Sequence, residues 1–315
     1  MKILVADDEI MTLRLLEQSL DKAGYDVVSA RDGRLALEQL CLPYGPRLAL
    51  LDWNMPGLDG PAVCEQVRKR SESPYIYIVL VTSRESKQDV VLGLESGADD
   101  YLIKPWNPEE LKARLRTGQR ILRLEDRLVE ARETMRFKAT HDHLTSLFNR
   151  GSIVDLLDRE LTRTRRENSC SVIMMADLDH FKMVNDSFGH LVGDEVLREV
   201  ARRLLGSVRS YDLVGRYGGE EFLAVLNNCD TSQALLRAEQ IRNAVANFPI
   251  RTMRGPLAVT MSLGVLSSRD WPLSNSEEIL REVDAALYLA KAAGRNCCQL
   301  AKPNSAIETP QELLK

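Results

Sequence analysis

The sequence predicts a doubly wound α/β domain with five parallel strands, then one long connecting helix, then a second domain built around a β-hairpin. Three observations carry this. Short apolar runs alternate with helical patterns from residue 1 to about residue 105, the pattern of a parallel sheet covered on both faces. From residue 107 to about 139 a polar stretch carries a regular apolar stripe, as a single long helix does. The segment RYGGEEFLAVL, residues 216–226, sets two glycines and two glutamates between short alternating apolar runs, which reads as a hairpin with an acidic tip.

In the first domain KILVA, DVV, RLALL, YIYIVLV and DYLI read as strands, and helices are expected near 11–23, 33–40, 61–69 and 87–96. Ligands on such sheets gather beyond the carboxyl ends of the strands. Asp7 and Asp8 follow the first strand, Asp52 the third, Thr82 the fourth and Lys104 the fifth. Three converging carboxylates repel one another, so the cluster calls for a cation, and oxygen ligands suit Mg²⁺. A lysine and a hydroxyl beside them suit a phosphoryl group.

These residues resemble a response-regulator receiver domain: Asp7 and Asp8, the DWNMPGLDG stretch around Asp52, Thr82, and Lys104 before Pro105. The resemblance implies that Asp52 accepts a phosphoryl group from a sensor histidine kinase as a nucleophile. Asp7 or Asp8, Asp52 and the backbone carbonyl of Asn54 would hold Mg²⁺. Thr82 and Lys104 would contact the phosphoryl oxygens, and Tyr101 would turn inward on activation.

The connector begins after Asn107 and Pro108, a favourable helix start. Leu115, Leu122 and Val129 recur by sevens, with Ile121, Leu128 and Met135 in an adjacent row. Two arrangements fit: a parallel coiled coil with a second chain, or a helix packed on its own first domain and then solvated. The dimer stalk is the preferred reading. Gly118, Glu125 and Arg132 interrupt the seam, which suits a regulated dimer.

In the second domain the run SVIMMADLD places Asp177 at the end of a buried strand, where a carboxylate is costly without a partner. Gly218 and Gly219 let the hairpin turn tightly beside a ligand, and Glu220 and Glu221 set two carboxylates there. Upstream stand HDHLTSLFNR and ADLDHFKMVNDSFGHLVGDEVL, and downstream AKAAGRN. Together these segments resemble the GGDEF family of diguanylate cyclases, with GGEEF as a variant that active members carry. The resemblance implies an α+β domain, a palm-like antiparallel sheet flanked by helices. It implies Mg²⁺ (or Mn²⁺) on Asp177, the Leu178 carbonyl, and Glu220 or Glu221. Glu220 is the favoured base, although the sequence does not separate the two glutamates. Asn185 and Asp194 would read guanine, Phe181 would shape the pocket, and Lys182, Lys291 and Arg295 would hold phosphates of GTP. RSYD, with Arg209 and Asp212, resembles an inhibitory site for the product, cyclic di-GMP. Either Arg237 or Arg242 would complete it.

The expected boundaries are 1–106 for the receiver, 107–139 for the stalk, 140–302 for the cyclase domain and 303–315 for a loose tail. The net charge of −4 disfavours a nucleic-acid duplex as partner. No apolar run is long enough to span a bilayer, so no membrane insertion and a cytoplasmic location are expected. The six cysteines contain no C-x-x-C pair and read as free thiols. His141 and His143 lack a third metal ligand. Arg163, Arg165 and Arg166 read as a solvated helix face. The whole reads as a phosphorylation-controlled cyclase, a homodimer on activation. The alternative is an inactive domain that only senses nucleotide.

Overall fold

The computed structural model describes residues 1–70, 74–83, 87–271 and 274–302; the expected loose tail, 303–315, lies outside the described residues. The chain divides into two compact units, with the division between Glu133 and Thr134.

In the first unit, β1 (Lys2–Ala6), α1 (Ile10–Lys22), β2 (Asp26–Ala30), α2 (Gly33–Cys41), β3 (Leu48–Asp52), α3 (Gly60–Arg68), β4 (Tyr77–Thr82), α4 (Lys87–Glu95) and β5 (Asp100–Ile103) follow in turn. All five strands are parallel, in the order β2-β1-β3-β4-β5. Alternate strand residues face two cores. Ile3, Val5, Leu50 and Val79 pack with α1, while Leu4, Ala49, Leu51 and Ile78 pack with α2 and α3. Burial on both faces is why these strands read as continuous apolar runs. Asp32 and Asp59 cap α2 and α3 by accepting the Leu35 and Ala62 N–H groups, which would otherwise lack partners.

The next helix, α5 (Pro108–Thr140), continues from the first unit into the second. The structure corrects the expected seam in its first half. Leu115 and Leu122 are only 2% and 3% exposed and lie in the first unit's own core beside Leu48 and Tyr77. Gly118 is the contact point between them. A Cβ there would lie 2.5 Å from Tyr77 Cδ1 and 2.8 Å from Leu48 Cδ1. Arg47 reaches Asp126 at 2.5 Å and so ties the helix one turn further along. Leu128 and Val129, by contrast, are 63% and 53% exposed, and Leu124 and Met135 are exposed too.

In the second unit, α6 (Arg150–Glu167), β6 (Val172–Leu178), α7 (Phe181–Phe188), α8 (His190–Ser207), β7 (Leu213–Gly218), β8 (Glu221–Leu226) and α9 (Thr231–Ala246) come first. A small antiparallel pair follows, β9 (Ile250–Thr252) with β10 (Gly255–Leu257). Then come β11 (Met261–Ser267), α10 (Ser276–Ala292) and β12 (Cys298–Leu300). The main sheet runs β12-β11-β6-β8-β7. Its central pairings are antiparallel, and the short edge strand β12 is parallel to β11, so the sheet is mixed. Ile173, Met175, Leu223 and Val225 face α6 and α10; Met174, Ala176, Phe222 and Ala224 face α8 and α9. Among the described residues no helix is long and apolar enough to cross a membrane.

Candidate active site

Strand β6 ends in Asp177 and Leu178, and the hairpin of β7 and β8 ends beside it. The antiparallel register sets Asp177 directly opposite Glu221. The Leu178 N–H donates to the Glu220 carbonyl at 3.3 Å, holding the tip there. Asp177 is buried, and Lys291 at the end of α10 places Nζ 2.8 Å from its Oδ2. Burial pushes the Asp177 carboxyl above its usual range, Lys291 pulls it back, and the charges of Glu220 and Asp179 push it up again. Glu221 is raised as well, by burial first and then by Asp177. Two like charges at one strand end call for a cation.

Among the described residues no three acidic, histidine or cysteine side chains are close enough to hold a metal alone. Mg²⁺ does not require such a cage. It binds through one or two carboxylates and completes its shell with water and substrate phosphates. The oxygen-only set of Asp177, the Leu178 carbonyl and a hairpin glutamate fits that ion. A cavity of about 730 Å³ opens beside Glu221, lined in part by Arg150, Met175, Tyr217 and Asp284.

The hairpin is braced from the segment before α6. The Arg216 guanidinium donates to the Gly219 carbonyl at 2.8 and 3.0 Å and to Asp142 Oδ1 at 3.1 Å. Burial raises the Asp142 carboxyl, but bonds from Thr145 and Arg216 more than offset this and hold it low. His141 stacks on Phe137 at 4.0 Å and lies 4.8 Å from Phe148, while His143 is exposed.

Of the expected substrate residues, Phe181 is buried at the start of α7 and Lys182 is exposed beside it. Asn185 and Asp194 lie on adjoining helices, α7 and α8, both half-buried. Gly193 makes this approach fit, because a Cβ there would lie 2.0 Å from Asn185 Oδ1. Arg295 is exposed in a left-handed turn after α10.

In the first unit Asp7 and Asp52 are buried at the strand ends and Asp8 is exposed. Lys104 Nζ lies 2.8 Å from Asp7 and 2.5 Å from Asp52. Burial raises the Asp52 carboxyl; Lys104 lowers it and Asp7 raises it. The Asn54 N–H donates to Asp52 Oδ2 at 2.9 Å. Thr82 is buried at the end of β4. The Arg114 guanidinium of α5 lies 5.7 Å from the centre of the Tyr101 ring.

Residues 139–297 match the family described as diguanylate cyclase, GGDEF domain, and residues 3–116 match the response regulator receiver domain. The chain belongs to the GGDEF family. It is 34% identical over 251 residues to the response regulator PleD of Caulobacter vibrioides, covering 79% of this chain and 55% of PleD, so it spans about half of that relative. The coiled coil and GGDEF domain of DgcB from Caulobacter crescentus, solved with c-di-GMP, aligns with TM-score 0.54 and 31% identity, over 61% of this chain and 99% of that one. Diguanylate cyclase SiaD from Pseudomonas aeruginosa, solved with its activator SiaC, aligns with TM-score 0.51 and 35% identity, over 61% and 75%.

Within the GGDEF domain, Arg209 donates its backbone N–H to Asp212 at 2.8 Å and its guanidinium to the Tyr211 hydroxyl at 2.7 Å. Arg237 reaches the Ser207 carbonyl at 3.1 Å, whereas Arg242 is engaged by Glu239 and Asn296. The Ser207 carbonyl is two residues before Arg209, so Arg237 is the arginine on the Arg209 side. The basic cluster is corrected at Arg163, which pairs with buried Glu160 at 2.7 Å and Glu167 at 2.8 Å. Arg165 donates to the Ser274 carbonyl, and Arg166 is exposed. All six cysteines are free thiols. Sequence reasoning passed over Gly193 as a site residue, and over Asp179 and Arg216. The signal for Asp179 was its spacing of two from Asp177.

Proposed function

We propose that this chain is a diguanylate cyclase controlled by phosphorylation of its receiver domain. It would condense two GTP into cyclic di-GMP and release two pyrophosphates. The pairing of Asp177 with Glu221 across the strand end, with Lys291 on Asp177, supports this most directly. Mg²⁺ or Mn²⁺ on Asp177, the Leu178 carbonyl and Glu220 or Glu221 would supply charge at the α-phosphate and acidify the ribose 3′-hydroxyl. The chain's own groups do the rest. Asn185 and Asp194 pair with the donor-rich edge of guanine, with Phe181 behind them. Lys182, Lys291 and Arg295 hold phosphate oxygens. Glu220 or Glu221 takes the 3′-hydroxyl proton.

The product has two equivalent phosphodiester links, so two GGDEF domains face each other with two-fold symmetry. Each 3′-oxygen then bonds the other nucleotide's α-phosphorus as pyrophosphate leaves. The receiver controls whether they meet. A sensor histidine kinase phosphorylates Asp52; Mg²⁺ there would be held by Asp7 or Asp8, Asp52 and the Asn54 carbonyl and would supply charge to the phosphoryl oxygens. Thr82 and Lys104 contact the phosphoryl oxygens, and Tyr101 turns inward. The exposed stripe of α5 pairs two chains. Cyclic di-GMP binds Arg209, Asp212 and Arg237 as a feedback inhibitor; the DgcB structure holding c-di-GMP supports a product site on such a domain. The reaction belongs in the cytoplasm, where GTP is available.

The test is product formation from GTP and Mg²⁺, with beryllofluoride as phosphoryl mimic, by the full chain and by Asp177→Asn. The substitution is expected to cost on the order of 10²–10³ in turnover. Equal turnover would overturn the assignment. Wild-type protein that binds GTP or cyclic di-GMP without turnover would support the sensing alternative.

A further inference from the structure

We propose that Asp179 is a positioning residue of this site. Its carboxylate pins the left-handed turn that follows Lys291 and carries Arg295. The proposal rests on the cyclase reading above and assigns Asp179 no metal.

Asp179 lies two residues beyond Asp177 and is buried. Its Oδ2 accepts the Thr260 hydroxyl at 2.7 Å and the Asn296 N–H at 3.0 Å, and its Oδ1 accepts the buried Ser262 hydroxyl at 2.7 Å. Its own N–H donates to the Thr260 carbonyl at 2.9 Å. A carboxylate offers about four lone-pair sites, and three are engaged by this chain. Asp177, by contrast, accepts from the Lys291 ammonium at the mouth of the site.

The turn needs such an anchor. Gly294, Arg295 and Asn296 have φ of 114°, 64° and 47°. Residues other than glycine adopt this region rarely and keep it only where their surroundings fix it. The fixing contacts are Asp179 on the Asn296 N–H, Arg242 on the Asn296 side chain at 2.5 Å, and the Arg295 N–H on the Ala290 carbonyl at 3.2 Å. Asp179 thus links the strand that carries Asp177 to the turn that carries Arg295.

The experiment compares wild type, Asp179→Ala and Asp179→Asn as full chains. It reads three quantities: affinity for a GTP analogue with a methylene α–β bridge, the Mg²⁺ concentration that binding requires, and amide exchange across residues 292–297. Asparagine can keep an oxygen toward Thr260 and Asn296 and donate to the Ser262 hydroxyl. Asp179→Ala is expected to weaken the analogue about tenfold or more and to speed exchange in the turn. Asp179→Asn is expected to stay within about threefold at an unchanged Mg²⁺ requirement. Loss in both variants with a raised Mg²⁺ requirement would make Asp179 a metal ligand and overturn the proposal. Faster exchange in the alanine variant at unchanged affinity would overturn it as well. Should the alanine variant not fold, the asparagine variant decides alone on affinity and Mg²⁺ requirement. Turnover is measured separately. Wild type that binds the analogue but makes no cyclic di-GMP even with beryllofluoride as phosphoryl mimic removes the cyclase reading and leaves the three-way affinity comparison to decide on Asp179. Wild type that binds no analogue overturns both.

Discussion

At Asp177, burial raises the carboxyl pKa and the Lys291 ammonium at 2.8 Å pulls it back. In Lys291→Met the opposing charge is gone, so Asp177 rises further. Because the proposed metal site needs the ionised form, the acid limb of kcat/KM is predicted to move to higher pH. A pH profile with an unmoved acid limb would contradict the pairing. Gly193 gives a second prediction at this scale. In Gly193→Ala the new methyl meets Asn185 Oδ1, so KM for GTP is expected to rise about tenfold, the cost of one displaced polar contact. Steady-state kinetics check this, and an unchanged KM would remove Asn185 from base recognition. Asp177, Glu220 and Glu221 were legible in the sequence because carboxylates at the ends of apolar runs are costly without a function. Asp179 was not. Its partners Thr260, Ser262 and Asn296 lie 81, 83 and 117 residues away, and only folding brings them together.

The helix α5 carries one apolar period through two different surroundings. Its first turns face the core beside Tyr77 and Leu48, and its later turns are exposed. Gly118→Ala is therefore predicted to destabilise the first unit by about 1–3 kcal/mol through overpacking, although alanine favours the helix by about 1 kcal/mol. Thermal unfolding reads the net sign, and a raised Tm would contradict the close contact. Leu128→Asp should leave Tm within about 2 °C, as an exposed substitution does, and weaken self-association measured by sedimentation. Leu122→Asp should instead unfold the first unit, because it buries a charge. The strands and helices of the first unit were readable because their apolar periods differ. The inward half of α5 was readable only as one of two arrangements, and the less favoured one, since a seven-residue repeat serves a core and a coiled coil alike. The parallel edge strand β12 was equally hidden, because three residues carry no signal of direction.

Across the whole chain, two carboxylate sites share one device: a lysine stands on the buried acids, Lys104 in the receiver domain and Lys291 in the GGDEF domain. In the proposed function each site takes a cation and a phosphate, and α5 is the covalent path from one domain to the next. The central claim is that chemistry at Asp52 sets the output of the Asp177 site. The measurement that tests it most directly is cyclic di-GMP formation from GTP and Mg²⁺ by the full chain, with and without beryllofluoride as phosphoryl mimic, beside Asp52→Asn. The account predicts product that rises with the mimic in the wild type and does not respond in Asp52→Asn. Product that ignores the mimic, or an Asp52→Asn protein that responds fully, would contradict it.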